Sequence, residues 1–160
     1  MKHTLSVLLQ NKPGALSRVT GLFSGRCFNI ESLCVAETLD PKISCLTLVT
    51  SGEMHIIEQI TKQLHKLIDV IKVTDVCEGD FFEREMVLIR VKAEASTRAE
   101  VLRVIDIFRG KVVDVSPNSY SVEVTGSESK IGAIIDILRP IGIKEIVRTG
   151  KIAMARAPKH

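Results

Sequence analysis

The order in which the hydrophobic period of this chain switches between strand and helix values constrains its fold most, because that order occurs twice. Leu5, Val7 and Leu9 alternate as in a strand, and Leu16, Val19 and Phe23 recur at helical spacing. Ile30 to Ala36 and Ile43 to Thr50 read as strands around an Asp40-Pro41 turn. Ile57, Ile60, Leu64 and Leu67 then mark a second helical stripe, and Val70 to Val76 returns to a strand. Strand, helix, strand, strand, helix, strand is one ferredoxin-like unit.

"CEGDFFERE", residues 77–85, breaks the pattern with Gly and acidic residues, and the order then restarts. Met86 to Ala93 is a strand. Thr97-Arg98-Ala99-Glu100 has capping-box spacing and opens a helix carrying Val101, Leu102, Ile105 and Phe108, which ends at Arg109-Gly110. Strands from Val112 to Ser116 and Tyr120 to Thr125 flank a Pro117-Asn118-Ser119 turn. Ser127 caps a helix with Ile131, Ile134, Ile135 and Leu138, Pro140 stops it, and Ile143 to Thr149 closes the set. The expectation is an α+β chain of two tandem ferredoxin-like βαββαβ domains, at 1–76 and 86–160, with a linker at 77–85.

Composition narrows the function classes. At 45% hydrophobic, 160 residues suffice for two small cores. Apolar runs are strand-length, well short of the roughly 20 residues a membrane helix needs. Met1-Lys2-His3-Thr4 leads directly into Leu5 without a signal-like apolar region, so a cytoplasmic protein is expected. Cys27, Cys34, Cys45 and Cys77 have no C-x-x-C spacing and read as buried reduced thiols. The net charge of +3 comes from interspersed charges, with no basic block before the tail "KIAMARAPKH", which argues against nucleic-acid binding.

The first half carries apolar residues on both faces of its sheet. In "NIESLCVAE", Ile30, Cys34 and Ala36 oppose Leu33 and Val35, and in "ISCLTLVT", Cys45 and Val49 oppose Leu46 and Leu48. Two helices cover one face only. Another subunit is expected over the other, the competing cover being the second half of the same chain.

"LLQNKPGALSRVTGLFSGRCFNIESL", residues 8–33, places Pro13-Gly14 at a helix start. A helix N-terminus presents unpaired N–H groups and partial positive charge, which suits an anion where side chains stand aside. Gly14 lets a carboxylate approach the following amides, and Asn11 and Asn29 add donors and acceptors. An α-amino acid fits such a site, with Leu9, Leu16, Ile30 and Leu33 favouring an aliphatic side chain. The competing reading is a type II turn without a ligand.

No catalytic constellation emerges. No Ser lies in G-x-S-x-G, Ser17 reads as a helix-surface hydroxyl, and His3, His55, His65 and His160 lack metal-like spacing. Glu83 and Glu85 share a strand face but read as a solvated edge beside Arg84.

"LSVLLQNKPGALSRVTGLFSGRCFNIESL", "HKLIDVIKV" and "IFRGKVVDVS" together resemble the small regulatory subunits of acetohydroxyacid synthase, also called acetolactate synthase, over nearly the whole chain. That resemblance implies that residues 1–76 form an ACT domain that binds an effector and dimerises, followed by a second ferredoxin-like domain. It implies a separate catalytic subunit carrying thiamine diphosphate, Mg²⁺ and FAD, none of them on this chain. It also implies stimulation of that subunit, and feedback inhibition by valine in branched-chain amino acid biosynthesis. By position, the effector site falls on Asn11, Gly14, Ala15 and Leu16 of one protomer and Asn29 and Ile30 of the other. Members of the family read Arg-Gly-Tyr or Arg-Gly-Phe before the Asn, where this chain has Arg26-Cys27-Phe28; a positive φ there is expected either at Cys27, with strain, or at Gly25.

Other readings stay open on the residues alone. A stand-alone amino-acid-sensing ACT protein would regulate a different enzyme. An RNA-binding module shares the βαββαβ order but needs stacking aromatics that "ISCLTLVT" lacks. A small ferredoxin-like enzyme or metal carrier lacks its constellation here.

Overall fold

The computed structural model describes residues 1–159; His160, the end of the expected second domain, lies outside the described residues. The chain divides into two compact units, Met1–Phe82 together with the chain from Lys151 onward, and Glu83–Gly150.

The first unit runs β1 (Lys2–Gln10), α1 (Ala15–Gly25), β2 (Ser32–Glu37), β3 (Ile43–Ser51), α2 (Met54–His65) and β4 (Val70–Asp75). The sheet is antiparallel, in the order β2-β3-β1-β4. Period-two alternation puts Leu5, Val7 and Leu9 of β1 beside Leu46 and Leu48 of β3. There they share a core with Val19 and Phe23 of α1 and Ile57, Ile60 and Leu64 of α2. Each fully buried side chain of this size contributes roughly 1.5–3 kcal/mol.

The second unit repeats the order as β5 (Phe81–Lys92), α3 (Arg98–Ile107), β6 (Lys111–Ser116), β7 (Ser119–Gly126), α4 (Glu128–Leu138) and β8 (Ile143–Arg148). Its strands follow the order β6-β7-β5-β8. Val87, Ile89 and Val91 pack with Val122 and Val124, beneath Val101 and Ile105 of α3 and Ile131, Ile134 and Leu138 of α4. The α+β fold with two βαββαβ units is the one the periodicity predicts. Among the described residues, no helix is long and apolar enough to cross a membrane.

Several local features differ from expectation. Only the start of "CEGDFFERE" is irregular: Val76–Glu78 forms a 3-10 turn, and β5 already begins at Phe81. Within β5 the acidic Glu83 and Glu85 lie on the inward side, half-buried and buried, while Phe82 and Arg84 face outward. Asp75, paired through its Oδ2 with buried His3 Nδ1 at 2.8 Å, accepts the Cys77 N–H through Oδ1 at 2.9 Å and so starts that turn. A ninth strand, β9 (Ile152–Ala155), pairs with β5. Arg156 donates its N–H to the Asp80 carbonyl at 2.8 Å and sets its guanidinium 5.6 Å from the Phe82 ring centroid.

The returning chain also closes part of the sheet face that the helices leave open. Thr4, Thr47 and Val49 on that face are buried. Lys151, itself buried, donates its N–H to Ser32 Oγ at 3.1 Å beside them. So one end of this face is covered by the chain itself, while Cys34, Cys45 and Leu8 remain half-buried and Ala36 exposed. All four cysteines are unpaired, but Cys27 and Cys77 are exposed rather than buried.

The capping box does not form. Thr97 precedes α3 but makes no side-chain cap; its Oγ1 instead accepts the Glu94 N–H at 3.2 Å, an alternative local bond open to any Thr at such a bend. Ser127 Oγ does cap α4, accepting the Lys130 N–H at 3.5 Å.

Glu85 is not a solvated edge residue. Its side chain is 4% exposed, and Arg148 of β8 donates to both carboxylate oxygens, at 2.7 and 2.9 Å. That hydrogen bonding raises the Arg148 pKa against the opposing effect of burial, with the Glu85 and Glu128 charges adding to it. Removing Arg148 strands a buried carboxylate, whereas Arg148 itself is half exposed. Arg148→Ala should therefore lower the stability of the second unit by about 3 kcal/mol, read as a shift in urea midpoint; an unchanged midpoint would show the pair to be dispensable.

Candidate ligand-binding site

The corner between β1 and α1 is built by backbone bonds. Asn11 donates its N–H to the Lys42 carbonyl at 2.8 Å, and its side-chain Nδ2 to the Pro41 carbonyl at 2.9 Å, tying the end of β1 to the β2–β3 turn. The Asn11 Oδ1 and the second N–H of its amide nitrogen stay available to a ligand. Gly14 follows as N-cap of α1 with φ of 86°, a left-handed value that L side chains avoid.

No side chain caps α1 and no acidic residue stands in its first turn. Ala15 donates its N–H to the Lys12 carbonyl, but those of Gly14, Leu16 and Ser17 find no acceptor among the described residues. The partial positive charge of the helix end is therefore uncompensated. Gly14 has a second neighbour that sequence reading missed: a Cβ there would stand 2.9 Å from an Arg18 guanidinium nitrogen. Arg18 is held by buried Asp69, both Nε and a terminal nitrogen lying 2.6 Å from one carboxylate oxygen. Nothing in the spacing of Arg18 and Asp69 announces that pairing, since it joins helix α1 to the turn between α2 and β4.

A cleft of about 270 Å³ opens beside this corner, with Leu9, Ala15, Leu16 and Val35 as its apolar lining and Glu37 and Ser44 at the β2–β3 end. Of the expected apolar contacts, Leu9 and Leu16 line it, whereas Ile30 and Leu33 pack against the core instead. Val35 takes their place because β2 is an edge strand, which leaves it 39% exposed.

The expected site residues do not all come together within one chain. Asn11, Ala15 and Leu16 line the cleft and Gly14 adjoins them. Asn29 and Ile30 lie at the opposite end of the sheet, where the Asn29 carbonyl accepts from Thr50 Oγ1 at 2.7 Å and Glu31 donates its N–H to the Val49 carbonyl. Lys42, beside Asn11, and Thr50 are separated along β3 by roughly 27 Å at strand rise. Among the described residues, no group of three or more His, Cys, Asp or Glu is placed to hold a metal.

Residues 5–72 match the family model described as an AHAS small subunit-like ACT domain, and residues 84–157 match the one described as the small subunit of acetolactate synthase. The chain is 51% identical over 159 residues to the probable acetolactate synthase small subunit of Archaeoglobus fulgidus, covering 99% of both. It is 50% identical over 161 residues to the acetolactate synthase small subunit of Haemophilus influenzae. This chain belongs to the acetolactate synthase small-subunit family. The crystal structure of the small subunit from Thermotoga maritima is similar over 99% of each chain, with a TM-score of 0.90 at 41% identity. The first unit is thus the ACT domain of the family and the repeat a second ferredoxin-like unit.

The segment leading to Asn29 shows how the chain accommodates its departure from the Arg-Gly pattern. Cys27 itself adopts φ of 57°, while Gly25 is not among the positive-φ residues. Cys27 donates its N–H to the Ser24 carbonyl at 3.2 Å and Phe28 to the Phe23 carbonyl at 2.9 Å. With Phe28 edge-on to Phe23 at 6.2 Å, this is a complete Schellman motif. The fit demands a left-handed residue at position 27, two residues after Gly25, because the helix continues through Gly25. Cys27→Gly should accordingly stabilise the first unit by roughly 0.5–1 kcal/mol, measured by urea unfolding. A loss of stability on that substitution would mean that the Cys27 side chain contributes contacts outweighing its backbone strain.

Proposed function

We propose that this chain is the regulatory subunit of a cytoplasmic acetolactate synthase, stimulating a separate catalytic subunit and transmitting feedback inhibition by valine. The catalytic subunit holds thiamine diphosphate, Mg²⁺ and FAD, and condenses pyruvate with pyruvate or 2-oxobutyrate; this chain contributes no group to that chemistry. The observation that carries the reading is the uncapped start of α1 beside an apolar cleft, in a chain similar along its length to acetolactate synthase small subunits.

In this reading the effector carboxylate meets the free N–H groups of Gly14, Leu16 and Ser17, and its aliphatic side chain lies against Leu9, Ala15, Leu16 and Val35. Asn29 and Ile30 reach it from a second protomer. β2 is the edge strand next to the cleft, and among the described residues its outer side has no partner strand. An exposed edge is a template for a second copy. Antiparallel pairing of β2 across a two-fold axis sets the Ser32 end of one strand beside the Glu37 end of the other. The partner's Asn29 is then brought toward the cleft that its own chain holds far away. Inhibition follows if valine binds the less active form of the complex more tightly, each tenfold preference shifting the balance by about 1.4 kcal/mol.

Two experiments test this. Gly14→Ala and Gly14→Asp share the backbone strain of a left-handed non-glycine, about 1 kcal/mol, but only Asp places a carboxylate where the ligand's would lie. Relative to its own uninhibited rate, the Gly14→Asp holoenzyme should require about 10-fold to 100-fold more valine for half inhibition than Gly14→Ala does. Equal curves would assign Gly14 to the turn alone.

The second mixes Asn11→Ala chains with Asn29→Ala chains. A mixed dimer carries one site with both changes and one with neither, so valine sensitivity should return in the mixture although each variant alone has lost it. Absence of recovery would place both asparagines outside a shared site.

A further inference from the structure

We infer that Ser44 and Glu37 form the ammonium subsite of the effector cleft, so that the site selects α-amino acids over other small aliphatic carboxylic acids. This assignment rests on the effector reading above and adds to it residues that the resemblance does not bring to the site.

Ser44 is 6% exposed, and its hydroxyl has no hydrogen-bond partner among the described residues. The side-chain polar atom that is both enclosed and unpartnered among those residues is His3 Nε2, not the Ser44 oxygen. Ser44 lines the cleft, so its hydroxyl opens into that space. The hydroxyl is therefore reachable from the cleft and free to bond a group placed there.

Register explains what stands beside it. Glu37 lies directly opposite Ser44 across β2 and β3, and Ser44 opposite Leu9 across β3 and β1. The three therefore form a row about 10 Å across on the helix-covered face. Glu37 is exposed and has no ion pair among the described residues, although Lys12 lines the same cleft. The Asn11 Oδ1 adds a further acceptor, one N–H of its amide being donated to the Pro41 carbonyl.

Donors and acceptors are thus segregated. N–H groups cluster at the start of α1, acceptors cluster at the β2–β3 end, and an apolar floor lies between them. A zwitterion satisfies both ends at once. A 2-oxo acid satisfies the donor end alone, and a 2-hydroxy acid offers the acceptor end one neutral O–H with no charge to pair with Glu37.

The test is calorimetric titration of the full chain with L-valine and with L-2-hydroxy-3-methylbutanoate, which keeps the carboxylate and side chain but has no ammonium. Wild type should prefer valine by about 10-fold or more. Glu37→Gln should weaken valine binding by about 10-fold and leave the hydroxy acid unchanged, collapsing the preference. Ser44→Ala should weaken valine binding by roughly 5-fold without lowering the melting temperature of the ligand-free protein, because the hydroxyl makes no bond there. If both variants bind valine as wild type does while Gly14→Asp does not, the assignment is overturned and the effector site stands. If Gly14→Asp also binds normally, or wild type does not bind valine, both readings fall.

Discussion

A four-stranded antiparallel sheet with both helices on one face leaves that unit with an uncovered face and two open edges, and the features of its site follow from how each is dealt with. One end of the ACT unit's helix-free face, where Thr4, Thr47 and Val49 are buried, is where the chain returning at Lys151 hydrogen-bonds Ser32. The β2 edge pairs with β3 alone among the described residues. The candidate cleft sits where that edge meets the bare start of α1, so exposed backbone and exposed apolar surface coincide there.

The fold was legible because both signals it depends on are local. Strand alternation in Leu5, Val7 and Leu9 and helical spacing in Ile57, Ile60 and Leu64 each lie within a few residues, and all six are core. What escaped was set by partners distant in sequence. Glu85 looks solvated beside Glu83 and Arg84 until Arg148 is folded against it, and Asp69 looks like one more turn residue until Arg18 reaches it. The strand β9 is only four residues long and mixes small and apolar side chains, so its alternation carries little weight until β5 offers an edge. Thr97 has the spacing of a cap and finds a closer acceptor–donor pair in Glu94.

The candidate site divides along the same line. Asn11, Gly14, Ala15 and Leu16 are contiguous, and a Pro-Gly before a helical stripe announces an uncapped helix start without reference to anything else. Asn29 and Ile30 belong to a different end of the sheet, and periodicity alone cannot bring them to Asn11. Ser44 and Glu37 were invisible for another reason. Their relation exists only in the β2–β3 register, and a one-residue slip would turn both side chains to the other face.

A site divided between protomers has a thermodynamic consequence. A ligand that bridges two chains binds the pair and not the separated subunits, so its binding free energy is added to the association free energy by linkage. At a concentration 100 times its Kd, one bound ligand contributes about 2.7 kcal/mol to the assembled form. The strained left-handed Cys27 lies two residues before Asn29 and sets the exit of that segment from α1. Any looseness it introduces is felt at the residue that would complete the partner's site, not at the cleft of its own chain. Effector affinity, dimer strength and the geometry of the α1 exit are therefore one coupled quantity in the proposed assembly. Measuring valine affinity as a function of chain concentration separates this arrangement from a site complete within one protomer, whose affinity would stay constant across the dissociation of the dimer.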